Sequence, residues 1–279
     1  HNFMIKEKFN SAIFLDHSMD HLSQMIINKK YAKNYFMLWG HPITTGSKNV
    51  DYFISSKSMD DNNDDQYIEK LILLEGLGIN YKLDEDLINL EKQPILKNSF
   101  FVPQSLFKLL PKYDFLYGKI LEENNKASIT FIKDKDPSYT DLFKNRLKKN
   151  KFIRENFDRI KFLNRMKQID FYKELSKYSV ILDSIGWSGG NTSLEALYLD
   201  KPIVTLKGNT LRGNHTAAIL NEINLKELIA NDYSEYLKIS KKIMQDYDFF
   251  KNIILKIKKN KMRVLETDIS LFNKIKNII

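Results

Sequence analysis

Short apolar runs alternate with longer amphipathic stretches along this chain, and that alternation predicts a parallel α/β fold. In the first part, Ser11–Leu15 (SAIFL), Tyr35–Trp39 (YFMLW) and Tyr52–Ser55 read as strands, with a helix over Met19–Lys30 between the first two. The polar run Asp60–Gln66 (DDNNDDQ) suits a surface loop. From Lys92 onward the alternation is regular. Strands are predicted at Ser99–Val102, Ser128–Lys133, Arg159–Leu163, Ser179–Leu182 and Ile203–Leu206, separated by helices such as Tyr113–Glu123, Tyr139–Lys149 and Phe171–Lys177. This pattern predicts a doubly wound parallel sheet, which binds its ligands at the carboxyl ends of its strands. Beyond Tyr233, apolar positions at Ile253, Ile254 and Ile257, and again at Ile269, Leu271, Phe272, Ile275 and Ile279, predict packing helices. No heptad persists long enough for a coiled coil.

The segment Asp183–Thr205 (DSIGWSGGNTSLEALYLDKPIVT) carries the strongest chemical signal. It runs from the end of the strand Tyr178–Leu182 through a glycine turn and about three helical turns into Pro202–Leu206, a βαβ unit. Gly186, Gly189 and Gly190 can take positive φ and let a ligand approach the backbone. Asn191 or Thr192 is expected to cap a helix whose first free N–H groups favour an anion. An ordinary βα turn with a good cap would read the same way.

Composition narrows the classes. The 279 residues allow one large domain or two small ones, and 43% hydrophobic with 12% aromatic residues supports a packed core. The net charge of +9 raises nucleic acid or an anionic membrane surface as partners. The lysines are scattered, however, and their densest patches, Lys144–Lys151 and Lys251–Lys261, fall on amphipathic helical stretches as solvated faces, so neither nucleic acid nor membrane insertion is expected. Cysteine is absent, which excludes disulfides and thiolate metal sites. His17 and His21 share a helical spacing, but Ser18 stands where a zinc protease would place its glutamate, so no metal site is expected. No apolar run approaches the ~18 residues of a membrane span and the N-terminus has no leader pattern, which makes a cytoplasmic location the expectation.

Four blocks in one order resemble glycosyltransferase family 41, the O-linked N-acetylglucosamine transferases, in particular its bacterial and SPINDLY-like catalytic regions. They are WGHPITTG (Trp39–Gly46) with DYFISSKSM (Asp51–Met59); FVPQSLFKLLPKYD (Phe101–Asp114); RIKFLNRMKQIDFYKELSKYSVILD (Arg159–Asp183); and GGNTSLEALYLDKPIVTLKGNTLRG (Gly189–Gly213). The resemblance implies a GT-B-type fold: a partial Rossmann-like, acceptor-side N-terminal domain over residues 1–92, and a C-terminal nucleotide-sugar domain over 93–279 with terminal packing helices. It also implies that the first half of the N-terminal domain precedes this chain, which looks like a fragment. The tetratricopeptide repeats that often precede the family's catalytic region are absent from it.

The implied reaction is inverting, metal-independent transfer of a sugar, N-acetylglucosamine by expectation, from a UDP-sugar to a protein hydroxyl, with no cofactor beyond the donor. Lys108, a turn past Gln104, is the candidate point charge for the β-phosphate. Gln104 and Ser105 are candidate donors to phosphate or ribose. The N–H groups at Asn191, Thr192 and Ser193, beside Gly189 and Gly190, would take the other phosphate oxygens. The resemblance implies that Glu195 accepts the ribose hydroxyls; a capping-box glutamate closing on Thr192 is the structural alternative. Phe171 is expected beside the uracil, with Arg165 and Met166 reading the base edge through their backbone. His41, with Thr44, Thr45 and Gly46, has either a donor-sugar or cleft-shaping role, with His41 also a catalytic candidate, or a purely structural one. Arg212 could reach the diphosphate, although the family often has a basic residue where this chain has Asn214. The family's candidate base, a histidine, would lie before this chain, and Asp20 is a secondary candidate. Two other readings stay open: a nucleotide-binding fragment with little turnover, and a UDP-glucose-dependent asparagine glycosyltransferase.

Overall fold

The structure is a computed structural model that describes residues 2–60, 64–79, 81–91, 93–266 and 269–278. The centre of the polar run Asp60–Gln66, together with Lys92 and Ile279, therefore lies outside the described residues. The chain divides into two compact units. One comprises His1–Asn80, Thr210–Arg212 and Asp268–Ile279, the other Tyr81–Asn209 and Gly213–Thr267.

The first unit holds a four-stranded parallel sheet in the order β1 (Ser11–Phe14), β2 (Asn34–Leu38), β3 (Tyr52–Ser56) and β4 (Lys70–Leu74). Phe36, Ile54 and Leu74 form its buried cluster, with Phe36 stacked on Tyr52 at 4.9 Å. The strand β4 has no counterpart among the elements expected from the sequence. Its KLILL run is short, follows a polar loop and is only half-buried along most of its length, so alternation gives it no clear signature. The helix expected over Met19–Lys30 contracts to His21–Ile26. Asp20 fixes its start by accepting from the N–H groups of Leu22 and Ser23, and none of its residues is buried, so no packing extends it.

The second unit is built on a six-stranded sheet in the order β10-β9-β8-β5-β6-β7, with every pairing parallel. The strands are β5 (Leu96–Val102), β6 (Ser128–Ile132), β7 (Ile160–Leu163), β8 (Tyr178–Leu182), β9 (Ile203–Leu206) and β10 (Ile229–Ala230). Phe100, Phe101, Val180 and Leu182 are wholly buried, as the near-continuous apolar runs of a sheet covered on both faces require. Phe101 stacks on Tyr178 at 4.4 Å and knits β5 to β8. The chain runs outward from β5 to β7, then returns to lay β8 on the other side of β5. That reversal is a topological switch point, and it leaves a crevice beyond the carboxyl ends of β5 and β8. The expected doubly wound sheet is present, widened by the two-residue strand β10, which is too short to show a periodicity.

A part-buried ion pair braces the segment after β5. Arg146 donates from Nε and Nη2 to the Asp114 carboxylate at 2.7 and 3.1 Å, and again to the Leu109 carbonyl at 2.5 Å. Arg146 lies inside a basic stretch expected to be a solvated face. Its neighbours keep to that expectation, but its own guanidinium turns inward because the fork geometry satisfies a carboxylate and a carbonyl together.

Candidate functional site

The second unit carries a cavity of about 300 Å³ at the carboxyl edge of its sheet. Its walls come from the turn after β5 (Pro103, Gln104, Ser105), from Lys133 and Asp134 after β6, and from Arg165, Met166, Gln168 and Phe171 after β7. Glu195 closes it from the helix Asn191–Tyr198. Six residues singled out for binding the base, ribose or phosphate from sequence, namely Gln104, Ser105, Arg165, Met166, Phe171 and Glu195, thus line this one cavity. Arg165 is exposed, whereas Met166 and Phe171 are half-buried. The Phe171 ring lies 6.5 Å from Phe101 and 6.1 Å from Tyr172, so one edge packs on the core while the residue also lines the cavity.

Glu195 is 7% exposed and does not close a capping box. Its Oε1 accepts from the Tyr81 hydroxyl at 3.2 Å and from the Tyr172 hydroxyl at 3.4 Å, while Oε2 accepts no hydrogen bond from any described residue. Burial raises the carboxyl pKa, and the two tyrosyl hydrogen bonds act against the rise. Tyr172 is itself fully buried, takes a hydrogen bond from Gln168 Nε2 at 2.5 Å, and has its phenol pKa pushed up to about 12 by burial and then by the Glu195 charge. Both tyrosines therefore remain donors at neutral pH. Sequence reasoning missed Tyr81, Tyr172 and Gln168. The spacing of Gln168 and Tyr172 on one helical face is visible in the chain, but Tyr81 reaches Glu195 across 114 positions and nothing local announces it.

Gln104 joins this cavity to the glycine turn. Its Oε1 accepts from Lys108 Nζ at 3.2 Å, and its Nε2 would lie 2.9 Å from a Cβ placed on Gly189. The same added Cβ would meet Ser193 Oγ at 2.6 Å, so Gly189 is required by close packing; of the three turn glycines, Gly186 is the one with positive φ, at +86°. Lys108 is half-buried with its ammonium 5.6 Å from the centre of the Trp187 ring. Burial lowers its pKa, and the Asp183 carboxylate partly restores it.

Asp183, at the end of β8, organises the whole turn. It accepts from the hydroxyls of Ser188 and Thr205 at 2.5 and 2.8 Å and from the N–H groups of Ser184 and Gly189 at 2.9 and 2.8 Å. Burial raises its pKa while the Ser188, Gly189 and Thr205 hydrogen bonds pull it down. Asp183 stood at the boundary of the expected motif, but no role was read for it, because its partners Ser188 and Thr205 sit on two different elements.

The helix Asn191–Tyr198 begins one residue earlier than the expected caps. Gly190 is its N-cap, without a side-chain hydrogen bond, so Asn191 and Thr192 are the first two helical residues. Ser193 spends its N–H on the Gly190 carbonyl at 3.0 Å and its hydroxyl on Thr216 at 2.7 Å, which removes it from the set of free donors. Among the described residues, the N–H groups of Asn191 and Thr192 have no backbone acceptor. His215 faces Gly190, with Nδ1 3.9 Å from where a Cβ would be, and its pKa falls to about 4 through burial and then the nearby Lys108 charge. Its imidazole is neutral at physiological pH, leaving Lys108 as the local cation. Asn214, where a basic residue was expected from the resemblance, is buried and accepts from the Gly208 N–H at 2.9 Å, closing the turn after β9. Arg212 belongs to the Thr210–Arg212 segment, which groups with the first unit.

His41 and Asp20 also lie in the first unit. The loop with Thr44 and Thr45 is clamped by the buried Glu69 carboxylate, which accepts from Thr44 Oγ1 and the Thr45 N–H at 2.7 Å each. The His41 ring meets His17 edge-on at 6.3 Å. Asp20 is engaged as a helix cap, and the hydrogen bonds from Ser23 hold its pKa down, the wrong direction for a general base.

The two parallel α/β sheets have the fold of GT-B glycosyltransferase structures. The chain superposes on an O-GlcNAc transferase mutant from Thermobaculum terrenum with a TM-score of 0.85 at 22% identity, covering 99% of this chain and 53% of that one. It also superposes on a sucrose-phosphate synthase from Thermosynechococcus elongatus with a TM-score of 0.58 at 12% identity, covering 92% of this chain and 70% of the other. Residues 146–276 match the model of glycosyl transferase family 41, the family that the sequence motifs resemble. The SPINDLY protein of Eustoma exaltatum subsp. russellianum, described as a probable UDP-N-acetylglucosamine–peptide N-acetylglucosaminyltransferase, is 24% identical over 226 residues, 78% of this chain and 24% of its own length. The SPINDLY protein of Arabidopsis thaliana is 25% identical over 213 residues, 74% of this chain and 23% of its own. The chain thus spans about a quarter of the length of these curated relatives. These relatives are plant proteins, and the bacterial character expected from the motifs has no support from them. Among the described residues, no helix is long and apolar enough to cross a membrane.

Proposed function

We propose that this chain supplies the donor-binding region of an inverting, metal-independent glycosyltransferase that moves N-acetylglucosamine from UDP-N-acetylglucosamine to a protein hydroxyl. The observation that carries the reading is Glu195: a buried carboxylate whose Oε1 is fixed by two tyrosines and whose Oε2 is left to accept from a ligand. A ribose offers two adjacent hydroxyl donors to such an acceptor. Phe171 would stack on a pyrimidine at the same cavity, and Arg165 and Met166 line the wall where its edge would fall.

In the transfer, the acceptor oxygen attacks the anomeric carbon from the face opposite the diphosphate. The bond from that carbon to the phosphate oxygen breaks, its electron pair leaves with the diphosphate, and the acceptor proton passes to a base. Charge therefore builds on the β-phosphate, where Lys108 and the free N–H groups of Asn191 and Thr192 would stabilise it. The neutral His215 imidazole adds no competing charge.

The test is a titration of the chain with UDP, uridine and 2′-deoxy-UDP, followed by transfer assays with radiolabelled UDP-N-acetylglucosamine and UDP-glucose on protein acceptors. One-to-one UDP binding, weaker for both analogues, is expected. A chain that binds none of the three removes the site, and transfer only from UDP-glucose to asparagine side chains replaces the proposed donor and acceptor.

A further inference from the structure

A second, larger cavity of about 640 Å³ lies at the opposite, amino edge of the same sheet, in the size range of small-molecule sites. It is lined by Tyr178 at the start of β8 and by Lys201 just before β9, with Ile88 and Ile95 on the approach to β5 and Phe250 and Ile254 from the helix Tyr247–Asn260. Most of the wall is apolar. Its polar part includes the neutral Gln93, Ser176 and Ser179, and its charged part has an excess of one lysine: Lys201, Lys258 and Lys261 stand against the acids Asp200 and Glu91.

Lys201 is the unusual member. It is 7% exposed, yet among the described residues its ammonium has neither a hydrogen bond nor an ion pair within 4.0 Å; the Asp200 carboxylate acts on it only at longer range. Asp200 is already taken by Lys261 at 2.8 Å, with Lys258 at 4.0 Å. Lysine is almost never buried without a partner, because desolvating its ammonium is costly. The local backbone adds to the oddity. The helix Asn191–Tyr198 ends with Asp200 at φ 60°, a position that glycine fills at least cost, and the Lys201 N–H then closes the turn on the Ala196 carbonyl at 2.9 Å. The chain thus accepts a strained aspartate to set a carboxylate beside two lysines, and directs the third lysine to the cavity wall.

We infer that this cavity is a second ligand site, for an organic anion with an apolar body whose carboxylate or phosphate head pairs with Lys201 while its chain lies along Phe250, Ile254, Ile88 and Ile95. The anion supplies the counter-charge that the protein withholds from Lys201, and the apolar wall supplies area for the rest of the molecule. Lys258 and Lys261 line the same cavity and favour an anion over a neutral molecule of the same shape. Because the site lies at the other edge of the sheet from Glu195 and Lys108, it binds without displacing a nucleotide.

The test uses the full chain with decanoate, decyl phosphate and decanol, each kept below its micelle concentration and titrated by calorimetry, with and without UDP. Saturable one-to-one binding of decanoate or decyl phosphate, at least tenfold tighter than decanol and unaffected by UDP, is expected; the stronger of the two anions tells a carboxylate ligand from a phosphate one. Lys201→Met should weaken the anions at least tenfold and leave decanol unchanged. Ile254→Trp, which fills the cavity while keeping every lysine, should abolish binding of all three and serves as the deciding variant if Lys201→Met does not fold. Equal affinity for decanol and decanoate, anion binding unchanged in either variant, or displacement by UDP would each overturn the inference. UDP affinity is read in the same experiment, so a failure of the nucleotide site shows separately.

Discussion

The two edges of the second unit's sheet each hold a desolvated lysine, and the protein treats them in opposite ways. At the carboxyl edge, Lys108 keeps company: the Gln104 amide oxygen at 3.2 Å, the Trp187 ring and the Asp183 carboxylate. At the amino edge, Lys201 is more deeply buried and has no described partner within ion-pair distance, and its pKa falls from 10.5 to about 8. A lysine with fixed neighbours is a pre-set cation for an anion that arrives and leaves. A lysine without them is a cost carried by the fold until something relieves it. Burial alone therefore does not mark the site of chemistry; what the surrounding groups offer does.

The largest effect expected in this comparison lies between the edges and their frame. Asp183→Ala should destabilise the chain by on the order of 3 kcal/mol, because it strips the acceptor from Ser188, Thr205 and the Gly189 N–H at once. Urea unfolding reads the loss, and UDP affinity should fall with it as the glycine turn loosens. A stable Asp183→Ala protein with parental UDP binding would show that the turn holds itself.

Lys201→Met should move stability the other way. In the folded parent the Lys201 pKa is lowered, so the folded state releases its proton before the unfolded state does. Between about pH 8 and 10.5 the unfolded chain holds more protons and parental stability rises with pH relative to the variant; below that window both states are charged and the desolvation cost is felt in full. At roughly 1.4 kcal/mol per pKa unit that cost is on the order of 3 kcal/mol. Urea titrations of both proteins at pH 7 and pH 10 should show the variant ahead at the lower pH and its lead shrinking at the higher. A lead that is constant with pH would mean that Lys201 is solvated.

Lys108→Ala should leave the fold intact and weaken UDP by about 2 kcal/mol, the worth of one charge-assisted contact, while uridine binds both proteins alike. The smallest effect belongs to Glu195→Gln. Replacing an acceptor by a group that is half donor should weaken UDP by about 1 kcal/mol and 2′-deoxy-UDP by less. Equal losses for the two ligands would make Glu195 a structural anchor for Tyr81 and Tyr172.

Much of this architecture was legible in the chain. The five strands expected after Lys92 all form; the inner ones of a sheet covered on both faces must be short continuous apolar runs with amphipathic helices between them, while the edge strand β7 is buried only at Ile160. β4 and β10 were missed, since a half-buried strand and a two-residue strand leave no period to detect. Gln104, Glu195 and Phe171 could be singled out because they sit in or beside local motifs at strand ends. The glycine turn was read as a matter of φ, and only Gly186 fits that; Gly189 is fixed by the packing of Ser193 and Gln104 around it.

The sequence by itself determined the parallel α/β class, the family resemblance and the neighbourhood of the proposed nucleotide site, because each is encoded by residues within a few positions of one another. The tertiary structure decided which lone pairs and N–H groups remain for a ligand. Tyr81 reaches Glu195 from 114 positions away, Thr216 takes the Ser193 hydroxyl from 23 away, and Arg146 braces the Lys108 segment through Asp114 from 32 away. Lys201 is one lysine among many in the chain and becomes distinct only where the fold buries most of its side chain without giving its ammonium a described partner. Hydrogen bonding and desolvation are properties of juxtaposition in space, and long-range juxtaposition is what a local pattern does not carry.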